Sequence, residues 1–148
     1  MKVVIGSDHR GYEHKEKAKA ILEGQSHSVI DIGMHNTEPC DYPRIAHKLA
    51  VVVSRGEAER GILICKSGIG MSIVANKTKG IRAALCHNSN TAKLARQHND
   101  ANVLVLTADD LSDPLTDVIQ SWLLTAFEGG RHQRRLDQIK EIENDQCK

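Results

Sequence analysis

The chain has 148 residues, a length that favours one domain able to bury about 68–70% of its unfolded surface. Its 20 basic and 19 acidic residues leave a net charge of +1, which gives no electrostatic attraction to nucleic acid or to a membrane surface. One tryptophan, two tyrosines and one phenylalanine are too few for a base-stacking platform, which argues against a nucleic-acid-binding protein.

Apolar segments alternate with amphipathic ones along the chain. The apolar segments are predicted strands, namely Val3–Ile5, Val29–Ile32, Ile62–Cys65, Ile81–Cys86 and Val103–Leu106. The predicted helices are Tyr12–Glu23, Ile45–Ser54, one from near Met71 toward Lys79, Thr91–His98, and one with Pro114 in its first turn that reaches Phe127. Residues 33–43 are a predicted loop. Strands separated by helices are typical of right-handed βαβ units. We therefore predict an α/β, three-layer Rossmann-like fold over residues 1–148, with a five-stranded parallel sheet flanked by helices.

A further polar helix of about a dozen residues is predicted to begin near Arg131, directly after Gly129-Gly130. It has only a thin apolar stripe and lies outside the alternation of strands and helices. We interpret residues 131–148 as an arm that packs on a partner subunit. Periodicity alone is equally compatible with a solvated helix folded back on its own domain.

The N-terminus and the cysteines bear on the compartment. Residues 1–6 are too short for the apolar region of a signal peptide, and no apolar run approaches the roughly 20 residues of a membrane span. We therefore expect a cytoplasmic protein without membrane association. Cys40, Cys65, Cys86 and Cys147 form no Cys-x-x-Cys pair, so the common zinc and dithiol motifs are absent. In a reducing compartment all four are expected to be free thiols.

The segment from Gly61 to Ser72 carries the strongest chemical signal. Cys65 ends a predicted buried strand, and the turn Ser67-Gly68-Ile69-Gly70 leads into a helix. Ligands bind at the carboxyl ends of strands in open α/β sheets. The free N–H groups of a helix start can hold an anion or a developing oxyanion, and they lower the pKa of a neighbouring thiol. The segment therefore suggests a reactive cysteine beside an oxyanion-binding turn.

Polar residues also stand near the ends of other predicted strands. Asp8 and His9 follow the first strand, His87 and Asn88 follow the fourth, and His98 and Asn99 precede the fifth. Because strand ends meet on one edge of a doubly wound sheet, we expect these groups to line one site. Carboxylate, imidazole, thiol and N–H groups, joined by arginines from elsewhere, suit a small phosphorylated and hydroxylated substrate.

Each of these residues also has a purely structural interpretation. A cysteine at the end of a buried strand is more often a small core residue than a nucleophile. Asp8 could cap the first helix, and His98 could be a surface cation at a helix end. The run Asp41-Tyr42-Pro43 could be only a turn into a helix, and the arginines after Gly130 could form a solvated face.

Six ordered motifs together resemble one family. They are Asp8-His9-x-Gly11, Asp41-Tyr42-Pro43, Gly61-Ile-Leu-Ile-Cys65-x-Ser67-Gly-Ile-Gly70, Gly80-Ile-Arg82-Ala, Arg96-Gln-His98-Asn99-Asp-Ala-Asn102-Val-Leu and Glu128-Gly-Gly-Arg131-His-Gln-x-Arg135. The chain resembles the ribose-5-phosphate isomerase B family, which includes galactose-6-phosphate isomerase subunits and allose-6-phosphate isomerases. The resemblance runs from Val3 to about Glu143.

This resemblance implies an isomerase that interconverts ribose 5-phosphate and ribulose 5-phosphate through an enediolate, without metal or cofactor. It implies that Cys65 is the base, that Ser67 and the N–H groups of Gly68, Ile69 and Gly70 form the anion hole, and that His98 donates a proton in ring opening. It further implies a homodimer or tetramer whose sites are shared between subunits. It implies sugar-binding positions at Asp8, His9 and Asn99 and phosphate-binding positions at Arg131 and Arg135. We also expect Asp41, Tyr42 and Lys66 to contact the substrate.

Two positions depart from the family pattern. Lys66 stands where the family usually has glycine, and Asp109 stands where many members have a phosphate-binding arginine. A carboxylate there repels phosphate, so we expect Asp109 to be turned away or neutralised by Lys66 or Arg134. The alternatives to a pentose-phosphate isomerase are a hexose-6-phosphate isomerase for allose or galactose, and a non-catalytic sugar-phosphate-binding module.

Overall fold

The computed structural model describes residues 1–146 and contains five strands and six helices in that range. The strands are β1 (Lys2–Ser7), β2 (Ser28–Asp31), β3 (Arg60–Cys65), β4 (Ala83–Cys86) and β5 (Val103–Thr107). The helices are α1 (Tyr12–Gly24), α2 (Tyr42–Ser54), α3 (Ile69–Ala75), α4 (Ser89–Asn99), α5 (Leu115–Leu124) and α6 (Arg131–Gln146). Strand and helix alternate up to α5, as the apolar pattern predicts.

All five strands form one parallel sheet in the order β2-β1-β3-β5-β4. This confirms the predicted α/β fold. The chain leaves β1 toward β2 on one side, and later returns to β3 on the other side of β1. That change of direction is a topological switch point, and in open α/β sheets a crevice for ligands forms there, beyond the carboxyl ends of the strands. The carboxyl ends of β1 and β3 carry Asp8 and Cys65.

The core lies on both faces of the sheet. Alternate residues of β3 illustrate the division, since Ile62 and Ile64 pack with α1, α4 and α5, whereas Leu63 and Cys65 pack with α2 and α3. The first layer includes the fully buried Trp122 of α5. Because the central strands are buried on both sides, they appear in the sequence as continuous apolar runs rather than alternating ones.

Several predicted boundaries are wrong near glycine, proline and asparagine residues. The helix predicted to reach Lys79 ends at Ala75 instead, because the Asn76 side chain bonds the backbone N–H and C=O of Ala83 at 2.8 and 2.9 Å. The same two hydrogen bonds explain why β4 begins at Ala83 rather than at the predicted Ile81. Helix α2 begins at Tyr42, with Pro43 in its first turn, inside the predicted loop. Helix α5 ends at Leu124, short of Phe127.

The C-terminal helix is longer than predicted, with 16 residues from Arg131 to Gln146. It folds back on its own chain at both ends. His132 in its first turn is buried, and Glu143 accepts hydrogen bonds from the Gly80 N–H at 3.2 and 3.3 Å. In contrast, Ile139 and Ile142 on the same helix are 40% and 58% exposed. Packing of this helix on a partner subunit therefore remains a prediction.

Within residues 1–146, no helix combines the length and the apolar character that crossing a membrane requires. Cys40, Cys65 and Cys86 are free thiols, as expected. The fourth cysteine, Cys147, lies outside the described residues.

A buried lysine ties α1 to the end of β2. The Lys15 ammonium is fully buried and bonds Asp31 and Glu16, while Lys19 approaches Asp31 at 3.6 Å. Burial by itself raises the pKa of Asp31, but the hydrogen bonds from Lys15 and Gly33 and the charges of Lys15 and Lys19 together outweigh it and hold that pKa below its usual value. Asp31 also accepts the Gly33 N–H at 3.1 Å. The pair thereby fixes the loop that follows β2.

Replacing Asp31 with asparagine is expected to destabilise the protein by about 3–5 kcal/mol near pH 7, because Lys15 would stay buried with only half-exposed Glu16 as a charged partner. The depressed pKa of Asp31 stabilises the fold above about pH 3.9, the pKa of an unfolded aspartate, and this contribution disappears as the pH falls through the folded pKa. The difference in free energy of unfolding between wild type and Asp31→Asn should therefore become smaller in acid. Urea unfolding at several pH values measures this difference, with the exposed Glu38→Gln variant as control. An equal difference at pH 7 and in acid would contradict a stabilising role of the Asp31 charge.

Candidate active site

The turn after β1 is held by a buried carboxylate. Asp8 is 7% exposed, and its Oδ1 accepts the N–H groups of Arg10 and Gly11 at 3.0 and 2.9 Å. A Cβ at Gly11 would collide with the carbonyl oxygen of Ile64 in β3. Glycine therefore lets this turn sit directly against the strand that carries Cys65. Asp8 therefore supports the turn before α1, which is close to its structural interpretation.

The turn after β3 surrounds the Cys65 thiol with backbone N–H groups. Gly68 adopts φ +77°, a conformation that residues with a side chain rarely take, and its N–H donates to Cys65 Sγ at 3.1 Å. The Ile69 N–H donates to Ser67 Oγ at 3.4 Å. A Cβ at Gly70 would collide with the Tyr42 ring. The spacing of the two glycines thus follows from one positive φ and one close aromatic contact.

The pKa of Cys65 is raised, so the expectation that the helix start leaves it lowered is wrong. Burial is the largest influence and raises the pKa of the thiol, and the nearby negative charge of Asp8 raises it further. Hydrogen bonds from the N–H groups of Gly68, Ser67 and Met71 act in the opposite direction but are outweighed. Cys65 is only 6% exposed, so removal of water dominates over the favourable dipoles.

The two residues that depart from the family pattern lie together. Lys66 Nζ is 3.8 Å from Asp109 Oδ2, and both side chains are more than half exposed. Buried Thr107 at the end of β5 holds this region, because its Oγ1 donates to the Lys66 carbonyl at 2.7 Å and accepts the Asp109 N–H at 3.2 Å. Lys66, rather than Arg134, is therefore the partner of Asp109.

Residues from the loop after β2 close over the same edge. The Cys40 N–H donates to His9 Nδ1 at 3.3 Å, and the Cys40 sulfur lies 3.9 Å from that nitrogen. Tyr42 covers Gly70 while remaining 38% exposed, and Asp41 precedes it as the N-cap residue of α2. The structure thus brings the predicted residues that follow β1, β2 and β3 to one edge of the sheet.

His98 and Asn99 lie at the opposite edge, so the expectation that all the polar residues share one edge is wrong. Helix α4 returns from the carboxyl end of β4 to the amino end of β5, and His98 and Asn99 are its last residues. The Asn99 carbonyl accepts a hydrogen bond from Arg82, which directly precedes β4, at 2.9 Å. A crossover helix between parallel strands runs antiparallel to them, so its C-terminus lies away from the edge that carries Cys65.

Asn88 and His87, the other strand-end candidates, have local partners. Asn88 caps α4, accepting the Thr91 N–H at 2.8 Å and completing a capping box with the Thr91 hydroxyl. His87 contacts the carbonyl of Asp110 at 3.2 Å through Nδ1. The structural interpretation is sufficient for Asn88.

Basic and imidazole groups surround the end of α4. Arg131 and Arg135 are exposed on the first turns of α6. The His98 and His132 rings stack with centroids 4.3 Å apart and planes 9° from parallel, and Glu128 Oε2 is 3.5 Å from His132 Nε2.

His98, Glu128 and His132 present ligand atoms within 4.8 Å of one another, as a metal site would. However, imidazole binds a metal through a lone pair in its own plane, and two parallel rings share no such plane. One ring would have to turn before both could bind one ion. The geometry is that of a stacked pair rather than a preformed metal centre.

Thr107, Glu128 and His132 were not predicted from the sequence as residues that support the site. Thr107 ends β5 as Cys65 ends β3, so its position in the strand pattern was a usable signal. Burial of His132 had no signal in the sequence, because the surrounding residues of α6 are polar.

The whole chain has recognisable relatives. The family described as Ribose/Galactose Isomerase matches residues 3–139. Ribose-5-phosphate isomerase B of Escherichia coli is 43% identical over 143 residues, covering 96% of each chain. A putative sugar phosphate isomerase of Rickettsia conorii is 48% identical over 139 residues, covering 93% of this chain and 96% of the relative.

Solved structures agree with the fold. Ribose-5-phosphate isomerase B of Clostridium thermocellum superposes with a TM-score of 0.95 at 46% identity, covering 98% of this chain and 99% of that one. The enzyme of Mycoplasma genitalium with bound ribulose-5-phosphate superposes with a TM-score of 0.91 at 39% identity, covering 97% and 96%.

Proposed function

This chain belongs to the ribose/galactose isomerase family, and we propose that it interconverts ribose 5-phosphate and ribulose 5-phosphate. Relatives named ribose-5-phosphate isomerase B align with nearly its full length, and one of them was solved with ribulose-5-phosphate bound. The observation that carries the proposal is the Cys65 thiol, which ends β3 at the switch point of the sheet with the Gly68 N–H on its sulfur.

Cys65 serves as the base in the proposed reaction. Its thiolate takes the proton from C2 of the open-chain aldose, the C1=O bond becomes a C1–O⁻ bond, and a C1=C2 double bond forms. The same thiol returns the proton to C1, and the C1=C2 electron pair forms the new C–H bond. The C2 hydroxyl proton passes to the C1 oxygen, so C2 becomes the ketone and C1 carries a hydroxyl group. Because the thiol is buried and its pKa is raised, its thiolate is a stronger base toward the weakly acidic proton on C2.

The turn after Cys65 stabilises the negative oxygen of the enediolate. The N–H groups of Ile69 and Gly70 belong to the first turn of α3, where no carbonyl of the same helix lies within reach. The Ser67 hydroxyl is exposed on the same turn. Removing one such donor typically costs about 10²–10³ in rate, so a fixed set of donors is a substantial part of catalysis.

Replacing Cys65 with alanine is expected to reduce isomerisation by at least about 10³-fold, since the base is lost. Turnover of ribose 5-phosphate, with allose 6-phosphate and galactose 6-phosphate in parallel, tests both the residue and the substrate. The matched control is Cys86→Ala, which removes a buried thiol of β4 from the core and should keep near-wild-type turnover. Near-native turnover by Cys65→Ala would exclude this base, and a preference for a hexose phosphate would overturn the substrate.

The pH dependence follows from the raised pKa of Cys65. The reactive thiolate is the minor form near neutrality and increases as the pH rises toward the pKa of the thiol. Exchange of the C1 hydrogen of ribulose 5-phosphate with deuterated solvent requires this proton transfer but no ring opening. Its rate should therefore increase with pH from neutral into the alkaline range.

We further propose that the enzyme is a homodimer at least, with His98 and Asn99 of one copy completing the site around Cys65 of the other. Within one chain these groups occupy opposite edges of the sheet, so a chain alone cannot present both to one sugar. Ile69 and Ile73 on α3 are 57% and 56% exposed beside the Cys65 turn, which suits coverage by a second copy. His98 gives a proton to the ring oxygen as the bond from C1 to that oxygen breaks, and the C1 hydroxyl releases its proton to water.

A dimer of one Cys65→Ala chain and one His98→Asn chain is expected to have about half of wild-type activity, because one of its two shared sites keeps both residues. Differently tagged chains allow the mixed dimer to be purified. Light scattering should show a dimer or a larger assembly.

The decisive control is a dimer of a wild-type chain and a chain carrying both substitutions. If the sites are shared, neither site of this dimer is complete, and it should be nearly inactive. Half activity in this control, or an active monomer, would show that each chain holds a complete site.

The phosphate is assigned to Arg131 and Arg135 in our proposal. They are exposed and four residues apart on α6, so one face of the helix presents both guanidinium groups. Guanidinium forks match phosphate geometry. Because Lys66 is paired with Asp109, the nearby carboxylate is partly neutralised and its repulsion of phosphate is reduced.

Replacing Arg135 with alanine is expected to raise the KM for ribose 5-phosphate by about 10- to 100-fold, as expected for losing a charge-assisted hydrogen bond. Turnover at saturation should change less, because the phosphate is remote from C1 and C2. Lys140→Ala on the same helix is the control for a lost exposed cation. An unchanged KM in Arg135→Ala would assign the phosphate to other residues.

A further inference from the structure

His132 is unusual among the polar residues of α6 because it is buried. It is 4% exposed, whereas Arg131 and Gln133 on either side of it are exposed. Within residues 1–146 its Nε2 makes no hydrogen bond, although Glu128 lies at ion-pair distance, 3.5 Å away. A buried nitrogen without a hydrogen bond is costly, so this ring is kept in place by something other than its own polar contacts.

What His132 contacts is the ring of His98. The two imidazoles lie face to face, with centroids 4.3 Å apart and planes 9° from parallel. His98 itself is only partly buried, at the end of α4. The buried His132 ring therefore packs flat against one face of the more exposed His98 ring.

Hydrogen bonds of the segment between α5 and α6 fix the position of His132. The Glu128 N–H donates to the Gln97 carbonyl at 3.1 Å, which ties the segment to the residue before His98. Gly129 and Gly130 both take positive φ, and the His132 N–H donates to the Gly129 carbonyl at 3.0 Å. The two glycines thus turn the chain sharply after the Glu128–Gln97 hydrogen bond, which allows the His132 ring to stack on His98.

The charges around His132 favour its neutral form. Burial is the main reason that the pKa of His132 is lowered, and the neighbouring His98, Arg131 and Arg135 lower it further, against the opposing effect of Glu128. Two stacked imidazolium rings would repel each other. A neutral His132 therefore adds no positive charge beside the His98 ring.

We propose that His132 is a positioning residue, whose buried ring orients the His98 imidazole for proton donation to the sugar ring. This inference rests on the proposed function and adds a residue that does not touch the substrate. Stacking removes rotation about the His98 side chain, so its N–H direction is set before substrate arrives. The ring of His132, rather than its nitrogen atoms, does this.

His132→Ala is expected to slow isomerisation much more than hydrogen exchange in the same protein. His132→Ala should slow isomerisation of ribose 5-phosphate by about 10- to 100-fold, a part of the 10²–10⁴ that a general acid contributes. Exchange of the C1 hydrogen of ribulose 5-phosphate with deuterated solvent should stay within about threefold of wild type, because it requires Cys65 and no ring opening. His47→Ala, an exposed histidine of α2, is the matched control.

His132→Phe separates the ring from its nitrogens. Phenylalanine keeps a flat ring in the buried position and removes the nitrogen that makes no hydrogen bond, so the variant should fold and keep isomerisation within about threefold of wild type. In a His98→Asn background, His132→Ala should cause no further loss, because the two residues act as one unit.

Equal losses of isomerisation and exchange in His132→Ala would indicate a merely structural role and overturn the proposal. So would a folded His132→Phe variant as slow as His132→Ala, or additive losses in the double variant. Absence of both activities in wild-type protein would instead overturn the proposed function itself, which the wild-type measurement reveals separately.

Discussion

The direction of the parallel strands is the constraint on which the rest of this structure depends. Every strand ends at the same edge, and every crossover helix returns to the other edge. Residues that follow strands, such as Asp8 and Cys65, therefore gather at one end of the domain. Residues that end helices, such as His98, gather at the other. Any reaction that needs both groups requires a second copy of the chain, which is why a shared site is the natural form of the proposed enzyme.

The Cys65 turn shows how burial and dipoles compete at the proposed catalytic base. The N–H groups of Gly68 and its neighbours stabilise a thiolate, yet removing water from a thiol that is 6% exposed costs more. The result is a thiol that is a stronger base once ionised. For proton abstraction from carbon this is useful, because a C–H group is a weak acid and requires a strong base. The N–H groups of Ile69 and Gly70, at the start of α3, are the donors proposed for the oxyanion of the enediolate.

Two charge pairs in this chain differ in what surrounds them. Lys15 and Asp31 are removed from water and fix the loop after β2 in place, so neither can be lost alone without leaving a buried charge. Lys66 and Asp109 are largely exposed, so their attraction is screened and contributes little to stability. The second pair matters instead for the charge that a phosphate would meet near the carboxyl edge, where a carboxylate by itself would be repulsive.

The order and type of the elements, and the switch from strand to turn at Cys65, follow from the sequence alone, because apolar runs and glycine positions are local signals. The ordered motifs likewise identified the family without any coordinates. Element ends were less well predicted where a distant side chain decides them, as Asn76 does for α3 and β4. Only the tertiary structure separated His98 from Cys65, raised the pKa of Cys65, paired Lys66 with Asp109 and buried His132 against His98. These properties depend on strand direction, on loss of water and on contacts between residues far apart in the chain, none of which a local pattern encodes.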